Sequence, residues 1–416
     1  MIPPHDVYRD ELLSYGYGQA IWEPAPNGRQ PAVLLGDVGY FFLGGFQRLF
    51  NIHLPPSHRF QSSTMPEHFE PLPIDDTMII YRHLEPGAYC STSVTVDGSS
   101  APVYPAAGGE VLFTTTKQRG AVLVLPEQAQ RLDVGTSPTY ESYIAKHCDL
   151  WLAYAHQKGY GVDLEDILLV TGCDLAKSWA VTAFISSEVD GSATLKGVDP
   201  STLGDLSAPA SMQWRNWHSQ HAIHNWGPEP FALESRPTGA HDSPAEDSAT
   251  DPVWLSRTLF PGFDQCVFVR GYHMKRRRLS DEQDEGLGED EGKGSWRSDS
   301  SEYVVEVIGG SDQPQEPSAC VHVLDYILEE DPAVKLAMVH DDAVTPYLQA
   351  SLSGQSVVSL LAKYRPQISL LKQNGKTTGI LRAPSQGDSA DMKPEASHGW
   401  SVFHPHQADE VSGNPQ

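Results

Sequence analysis

Cysteine is scarce in this sequence, and its cysteines do not cluster. The chain has five of them among 416 residues, and no two stand as a Cys-x-x-Cys pair. Disulfide frameworks and cysteine-based zinc frameworks need clustering of that kind, so neither is expected. The spacing instead indicates free thiols in the core of a protein from a reducing compartment. The five are Cys90, Cys148, Cys173, Cys266 and Cys320.

Positive charge is also in deficit. Lysine and arginine number 29 against 54 aspartates and glutamates, which gives a formal net charge of −25. A surface of this sign repels phosphate backbones and anionic lipid headgroups, so we expect neither a nucleic-acid partner nor a membrane partner. The one basic cluster is Lys275–Arg278. It directly precedes an acidic segment, so local ion pairing and a nuclear-import signal are both open interpretations.

Long apolar runs are missing as well. No stretch approaches the roughly 20 apolar residues that a membrane-spanning helix needs. The first residues, MIPPHDVYRDELLSYGYG, have neither the basic region nor the apolar region of a secretory signal. We therefore expect a cytoplasmic protein, or a nuclear one if the basic cluster directs import.

Enough aromatic side chains are present to build a core, with nine Trp, sixteen Tyr and thirteen Phe. The patterning predicts an α+β fold, in which a mixed, mostly antiparallel sheet packs against a few helices. Residues 1–130 are expected to form a β-rich part that continues into a mixed α/β part over 131–375. Acidic insertions over 232–251 and 279–300, and a tail over 383–416, have the composition of disordered segments.

Two hairpins are predicted in the β-rich part. Val38–Phe42 and Phe46–Phe50 are separated by a glycine-rich break that tolerates the positive φ of a tight turn. Glu110–Thr116 and Gly120–Leu125 flank three polar residues and are expected to pair in the same way.

The clearest predicted helix begins at Ser137-Pro138. Serine suits the N-cap, and proline suits the first helical position. An aromatic stripe follows at helical spacing up to Ala155, and we expect Trp151 to lie buried at its centre.

Four apolar stretches are predicted to be neighbouring strands. Asp166–Thr171 is uninterrupted, which is typical of a strand covered on both faces. The other three are Trp179–Ser186, Cys266–Tyr272 and Tyr303–Ile308, with the acidic insertions extending outward as loops between strands.

Four segments resemble, in order and spacing, a large family of uncharacterised proteins from mushroom-forming fungi. They are LLGDVGYFFLGGFQRLFN (34–51), ILLVTGCDLAKSWAVTAF (167–184), CVFVRGYHMKRR (266–277) and DPAVKLAMVHDD (331–342). The resemblance covers most of residues 12–345 and implies an origin rather than an activity. Family members are similar to one another in a Gly-Cys-Asp-Lys-Thr stretch. This chain has Leu175-Ala176 in place of Lys-Thr, which weakens any phosphate-binding role for that stretch.

Gly172-Cys173-Asp174 follows the first of the four strands. Strand ends are where ligands bind in open α/β sheets, and a glycine lets backbone amides approach an anion. The stretch is not a P-loop, and a tight turn capped by Asp174 is the simpler interpretation. Catalysis by Cys173 as a nucleophile would require a nearby group that depresses its pKa.

His340-Asp341-Asp342 also follows a predicted strand. Adjacent carboxylates can hold a hard cation such as magnesium, which makes Asp341 and Asp342 candidate metal ligands. The alternative is a helix start, where acidic residues are favourable.

Three histidines lie among tryptophans in WRNWHSQHAIHNW. His218, His221 and His224 would share one broad face of a helix, where they could gather around zinc. The segment has no clear amphipathic pattern, however, so a partly exposed aromatic strand or loop is the competing interpretation.

No catalytic signature of a serine hydrolase, zinc protease, dinucleotide enzyme or kinase is present. We therefore predict a non-enzymatic interaction or regulatory protein with a protein partner and no cofactor. The alternative is an enzyme with a site at sheet termini. It would use Asp174 with Asp341 or Asp342, and a divalent cation, on a phosphorylated substrate. A membrane-active protein that refolds its β-rich region is the least favoured class, because the surface charge opposes anionic membranes.

Overall fold

The computed structural model describes residues 2–26, 32–74, 76–97, 110–115, 117–185, 191–198, 211–215, 222–228, 262–277, 318–352, 354–383 and 402–403. The predicted α+β fold with a mixed, mostly antiparallel sheet is confirmed. The predicted insertions over 232–251 and 279–300 and the predicted strand Tyr303–Ile308 lie outside the described residues. Within the predicted tail, Val402–Phe403 pairs with Ala88 and Tyr89 of a preceding strand.

Among the described elements, strands predominate before residue 277, and three helices and four strands follow after residue 318. The helices are α1 (Pro4–Leu13), α2 (Pro138–Gln157), α3 (Ala319–Glu330), α4 (Asp341–Ser351) and α5 (Val357–Tyr364). The strands are β1 (Gln19–Ala20), β2 (Asp37–Phe42), β3 (Gly45–Asn51), β4 (Ile80–Leu84), β5 (Gly87–Cys90), β6 (Val94–Asp97), β7 (Glu110–Thr115), β8 (Arg119–Leu125), β9 (Ala129–Asp133), β10 (Leu168–Ala176), β11 (Trp179–Ile185), β12 (Gly191–Val198), β13 (Ser211–Arg215), β14 (Ala222–Gly227), β15 (Gln265–Arg276), β16 (Leu336–His340), β17 (Ile368–Gln373), β18 (Lys376–Leu381) and β19 (Val402–Phe403).

The strands form three sheets. The first has the order β17-β18-β16-β15-β10-β2-β3, with β1 also on β15, and with β9 on β10 followed by β4. The second has the order β14-β11-β8-β5-β19, and the third β13-β12-β7-β6. Among the described strand pairs, β16 and β18 run parallel and the others antiparallel.

Two pairing predictions are wrong, for one physical reason. β10 and β11 follow each other in the chain but lie in different sheets, because β15, β2 and β9 already occupy both edges of β10. Likewise β7 pairs with β6 and β12, whereas β8 pairs with β5 and β11, so the predicted hairpin between β7 and β8 does not form. An edge that is already paired cannot accept another strand, whatever the turn chemistry.

The predicted helix after Ser137 is confirmed. The Ser137 hydroxyl accepts from the backbone N–H of Thr139 at 3.3 Å, and Pro138 occupies the first helical position. Trp151 is 1% exposed and packs with aromatic rings of β3 and α2 against the first sheet. Burial of this stripe, at roughly 25 cal/mol per Å² of apolar surface, fixes α2 to the sheet.

Separate apolar clusters fill the remaining interfaces. Residues of α1, β8, β11 and β15 form one cluster between the first and second sheets, and the second and third sheets pack against each other around Phe113 and Phe184. The helices α3, α4 and α5 cover the β16–β18 end of the first sheet. None of the described helices combines the length and the apolar character needed to cross a bilayer.

Candidate functional site

The sequence Gly172-Cys173-Asp174 lies inside β10, so the predicted turn is wrong. The strand continues to Ala176, and irregularities in its pairing with β15 flank the three residues. Asp174 is fully buried, and its carboxylate accepts from both Nε and Nη2 of Arg131, at 2.8 and 2.9 Å. Arg270 donates to the same carboxylate at 2.9 Å. The carboxylate is therefore saturated by two guanidinium groups rather than presented to a ligand.

Gly172 has a steric role in this ion-pair network. A Cβ at this position would lie 2.8 Å from Nε of Arg270, so only glycine leaves room for the buried guanidinium. Arg270 also donates to the carboxylate of Asp133 at 2.8 Å. Cys173 is buried beside the network, and burial raises the pKa of its thiol. The side chain stays a neutral thiol near pH 7, which argues against its use as a nucleophile.

The two adjacent aspartates at the end of β16 point to different partners. Both lie in the first turn of α4, where the N-terminus favours acidic side chains. Oδ2 of Asp342 lies 3.4 Å from Nδ1 of His340, which accepts from the backbone N–H of Asp342, and contact with His340 lowers the pKa of Asp342 against the opposing effect of burial. Asp341 points inward to a different set of groups.

The histidine-rich segment is only partly described. His224 lies on β14, half-buried, and stacks on Trp226 with ring centroids 5.9 Å apart. Burial lowers the pKa of His224. His218 and His221 lie outside the described residues, so the structure leaves the predicted three-histidine zinc site as a prediction.

The basic cluster at the end of β15 is paired with folded acidic residues. Nζ of Lys275 lies 2.8 Å from the carboxylates of both Glu165 and Asp325. Arg276 forms an ion pair with an aspartate of α2. Arg278 lies outside the described residues. Ion pairing thus involves the folded body, whereas the import-signal interpretation stays a prediction.

A short interruption in strand pairing positions the inward-facing Asp341. One edge of β15 pairs with β10 along most of its length. The other edge pairs with β1 at Phe268 and Val269, and with β16 from Tyr272 onward. Between these two strands the backbone N–H of Gly271 has no strand neighbour. Oδ2 of Asp341 accepts from it at 2.8 Å, because α4 begins immediately after β16. We call this interruption the ladder gap.

Four polar side chains from four elements meet in the ladder gap. Oδ1 of Asp341 lies 3.1 Å from Nε2 of His273 and 3.8 Å from Sγ of Cys320. Nε2 of Gln19 lies 3.3 Å from the same oxygen and 3.9 Å from the sulfur. Gln19, Cys320 and Asp341 are buried, and His273 is nearly so. We call these four residues the ladder-gap cluster.

The charges of the ladder-gap cluster are strongly coupled. Burial alone would lower the pKa of His273, but Cys320 and Asp341 hold it well above its usual value. His273 in turn lowers the pKa of Asp341, again against the effect of burial. Burial raises the pKa of the Cys320 thiol. Without a ligand, the cluster is thus an imidazolium–carboxylate pair beside a neutral thiol.

Sequence reasoning identified only Asp341 among these four residues. His273, Cys320 and Gln19 stand 47 residues or more from one another, and each is isolated from other ligand-type residues of matching spacing. The only hint in the sequence was Cys320 itself. It stands two residues after Ser318, at the start of a predicted helix, and no other cysteine or histidine at metal-ligand spacing is near it.

A cleft of about 370 Å³ lies beside the β2–β3 hairpin. Apolar and polar groups contribute to its walls in similar measure, and two of the lining residues are charged. The apolar residues include Ile21, Val33, Phe42, Leu43 and Phe46, and the charged residues are Glu23 and Arg48. The guanidinium of Arg48 is held by Asp37, with Nη2 donating to its carboxylate at 2.6 Å. We call this feature the hairpin cleft.

The tip of the hairpin exposes apolar side chains. Phe42 is 54% exposed and Leu43 is 68% exposed. Phe42 pairs with Gly45, so the turn has two central residues, Leu43 and Gly44, with φ of 48° and 86°. Positive φ at both positions is typical of the type I′ turn, for which Asn-Gly is the preferred sequence. A branched leucine in this conformation costs about 1 kcal/mol or more.

The chain matches no protein-family model, and no curated protein matches it. The hairpin cleft and the ladder-gap cluster are the two features of the described residues from which a functional argument starts.

Proposed function

We propose that this protein is a non-enzymatic interaction module whose hairpin cleft binds a segment of a partner protein. Leu43 is the observation that carries the proposal. Neither burial nor turn geometry explains a leucine there, since the side chain is 68% exposed and the backbone φ of 48° favours asparagine or glycine. Strained and exposed apolar residues of this kind are found where a surface makes contact with a ligand.

The size and charge of the hairpin cleft indicate the chemistry of the partner. A volume of about 370 Å³ is at the lower end for small-ligand pockets and suits one or two apolar side chains. The charge of Arg48 is balanced by its contact with Asp37, and Glu23 is the other charged residue that lines the cleft. The whole chain carries a net charge of −25. Such a surface attracts cationic partners, and we therefore propose a segment with an apolar anchor flanked by lysine or arginine.

The alternative function, cation-dependent catalysis at strand ends, has weaker support. It requires Asp174 to face a ligand, but that carboxylate is bonded to Arg131 and Arg270 inside β10. It also requires Asp341 or Asp342 beside it, and these are bonded within the ladder-gap cluster and to His340. None of the three carboxylates lines the hairpin cleft.

Selection from a displayed peptide library tests the proposal. We expect the enriched peptides to share an apolar residue flanked by basic residues, and to bind the full chain with a micromolar Kd. Leu43→Asn should weaken binding about tenfold or more, since it removes the apolar contact at the cleft. Added salt should weaken the association further, because the charges involved lie at the surface.

The control variant is Leu370→Asn. Leu370 is 49% exposed and lies on β17, at the opposite end of the first sheet from the β2–β3 hairpin. It should bind the selected peptides like the unchanged chain. Equal binding to the Leu43→Asn variant and to the unchanged chain would contradict the proposal. Turnover of a phosphorylated metabolite that depends on Asp174 would support the alternative.

A further inference from the structure

The donor atoms of the ladder-gap cluster have the composition and spacing of a transition-metal site. They are one imidazole nitrogen, one sulfur and one carboxylate oxygen, from His273, Cys320 and Asp341, and all lie within 4.8 Å of one another. Nitrogen, sulfur and oxygen donors together are typical of zinc, whereas magnesium and calcium prefer oxygen alone.

The measured separations agree with tetrahedral geometry. In a tetrahedral zinc site with bonds of about 2.0–2.3 Å, neighbouring ligand atoms are roughly 3.3–3.6 Å apart. In the cluster, the nitrogen and oxygen are 3.1 Å apart, and the sulfur and oxygen are 3.8 Å apart. Adjustments of a few tenths of an ångström would place the three atoms at three corners of one tetrahedron.

Gln19 contacts two of the three donor atoms. Its amide nitrogen lies 3.3 Å from the Asp341 oxygen and 3.9 Å from the Cys320 sulfur. The two ends of a glutamine amide have nearly the same shape, so a half-turn of the amide places the oxygen at this position as a metal ligand. Asp341 is further oriented by the backbone N–H of Gly271, the kind of supporting contact that metal-binding carboxylates require.

We propose that the ladder-gap cluster binds one zinc ion through His273, Cys320 and Asp341, with Gln19 completing the coordination. Zinc replaces the protons of the imidazolium and the thiol, so two protons leave and the buried charge stays balanced by thiolate and carboxylate. Cys320 and Asp341 lie in the first turns of α3 and α4, where a helix N-terminus stabilises an anionic ligand.

Coordination accounts for Cys320 better than hydrogen bonding does. A thiol is a weak donor, and a serine in the same place would donate more strongly to the Asp341 carboxylate. The burial of all four side chains corresponds to a closed, structural metal site rather than a catalytic one with an open position. The ion would fasten α3 and α4 to β1 and β15.

Metal titration of the full-length chain tests this site. After removal of metal by a chelator, we expect the protein to take up about one zinc ion per chain and to unfold at a higher temperature when loaded. Cobalt should give a thiolate-to-metal charge-transfer band, which requires a direct sulfur–metal bond. Cys320→Ser should abolish that band and raise the zinc Kd about 100-fold or more.

Cys266→Ser is the matched control, because Cys266 is equally buried but lies outside the cluster. It should keep the cobalt band and the zinc affinity. Gln19→Glu separates the metal site from a simple hydrogen-bonded cluster, since the added carboxylate is favourable beside zinc and repels Asp341 without it. Zinc should therefore raise the melting temperature of this variant more than that of the unchanged chain. A chain that takes up no zinc, or a cobalt spectrum unchanged by Cys320→Ser, would overturn the proposal.

Discussion

The ladder gap and the β2–β3 hairpin depart from the usual distribution of residues in opposite directions. In the ladder gap, four polar side chains are gathered inside the protein and bonded to one another. At the hairpin tip, Phe42 and Leu43 are turned out to solvent. Buried polar groups are informative because burying them is costly unless they are bonded, and neighbouring exposed apolar side chains are more informative than a single one.

The two regions also differ in how their cost is offset. Polar groups near β15 are compensated internally, since each charged side chain has an opposite charge within hydrogen-bond distance. The strained turn at Leu43 has no such internal compensation among the described contacts of its side chain. This difference is the reason why we propose a metal ion for the interior around β15 and a binding partner for the hairpin.

The largest expected effect comes from breaking the buried ion-pair network. Arg270→Met leaves Asp174 with one guanidinium instead of two, and leaves Asp133 without its partner from β15. Removing one side of a buried charged network typically costs about 3–5 kcal/mol. We expect the free energy of unfolding in urea to fall by that amount.

Arg276→Met provides the control for this prediction. Arg276 lies on the same strand, but its side chain is 50% exposed, and exposed ion pairs contribute about 1 kcal/mol or less. If both variants lost the same free energy of unfolding, the prediction would be contradicted, because the network around Asp174 would then contribute no more than a surface ion pair.

A second, smaller effect concerns His53, which follows β3 at the opposite end of the hairpin from Leu43. Its ring contacts the carbonyl oxygen of Leu72 at 2.7 Å and the hydroxyl of Tyr140 at 2.8 Å. Burial lowers the pKa of His53 from 6.5 to about 4. The neutral ring therefore contributes stability above pH 6.5, and this contribution is lost as the pH falls towards 4. For a ring with some solvent access, the loss is about 2 kcal/mol.

The pH dependence of unfolding in the His53→Gln variant measures this contribution. The variant should lose less stability than the unchanged chain between pH 6.5 and 4, since glutamine does not titrate. Identical slopes for the two proteins would mean that His53 is not held neutral.

The sequence predicted those parts of the fold that depend on local signals. The helix α2 was predictable because Ser137, Pro138 and the aromatic spacing all lie within one segment. The β2–β3 hairpin was predictable from its glycines, whereas α1 was not anticipated. Asp341 was identified as a candidate because it stands next to a second carboxylate in His340-Asp341-Asp342.

The remainder depends on pairing between distant segments. No local pattern indicates that β10 has both edges occupied, and this decides that β11 joins the second sheet. The turn predicted at Gly172 failed because the glycine makes room for Arg270, 98 residues later in the chain, and not for a change of direction. The ladder-gap cluster was not predictable for the same reason, since it forms where β1 stops and β16 starts on one edge of β15.

The smallest expected change in stability comes from the hairpin tip. Leu43→Asn places a residue that tolerates positive φ at a position where φ is 48°. We expect the free energy of unfolding to rise by about 0.5–1 kcal/mol, because the strain of the turn is relieved while no buried contact is lost. Leu370→Asn, on a strand with ordinary backbone geometry, should not stabilise the chain.

Measuring both unfolding and peptide binding of the Leu43→Asn variant gives the most direct test of the interaction-module proposal. We expect opposite signs: the variant should unfold at a higher urea concentration and should bind the selected peptides about tenfold more weakly. A variant that is less stable, or that binds with unchanged affinity, would contradict the claim that this leucine is present for contact with a partner rather than for folding.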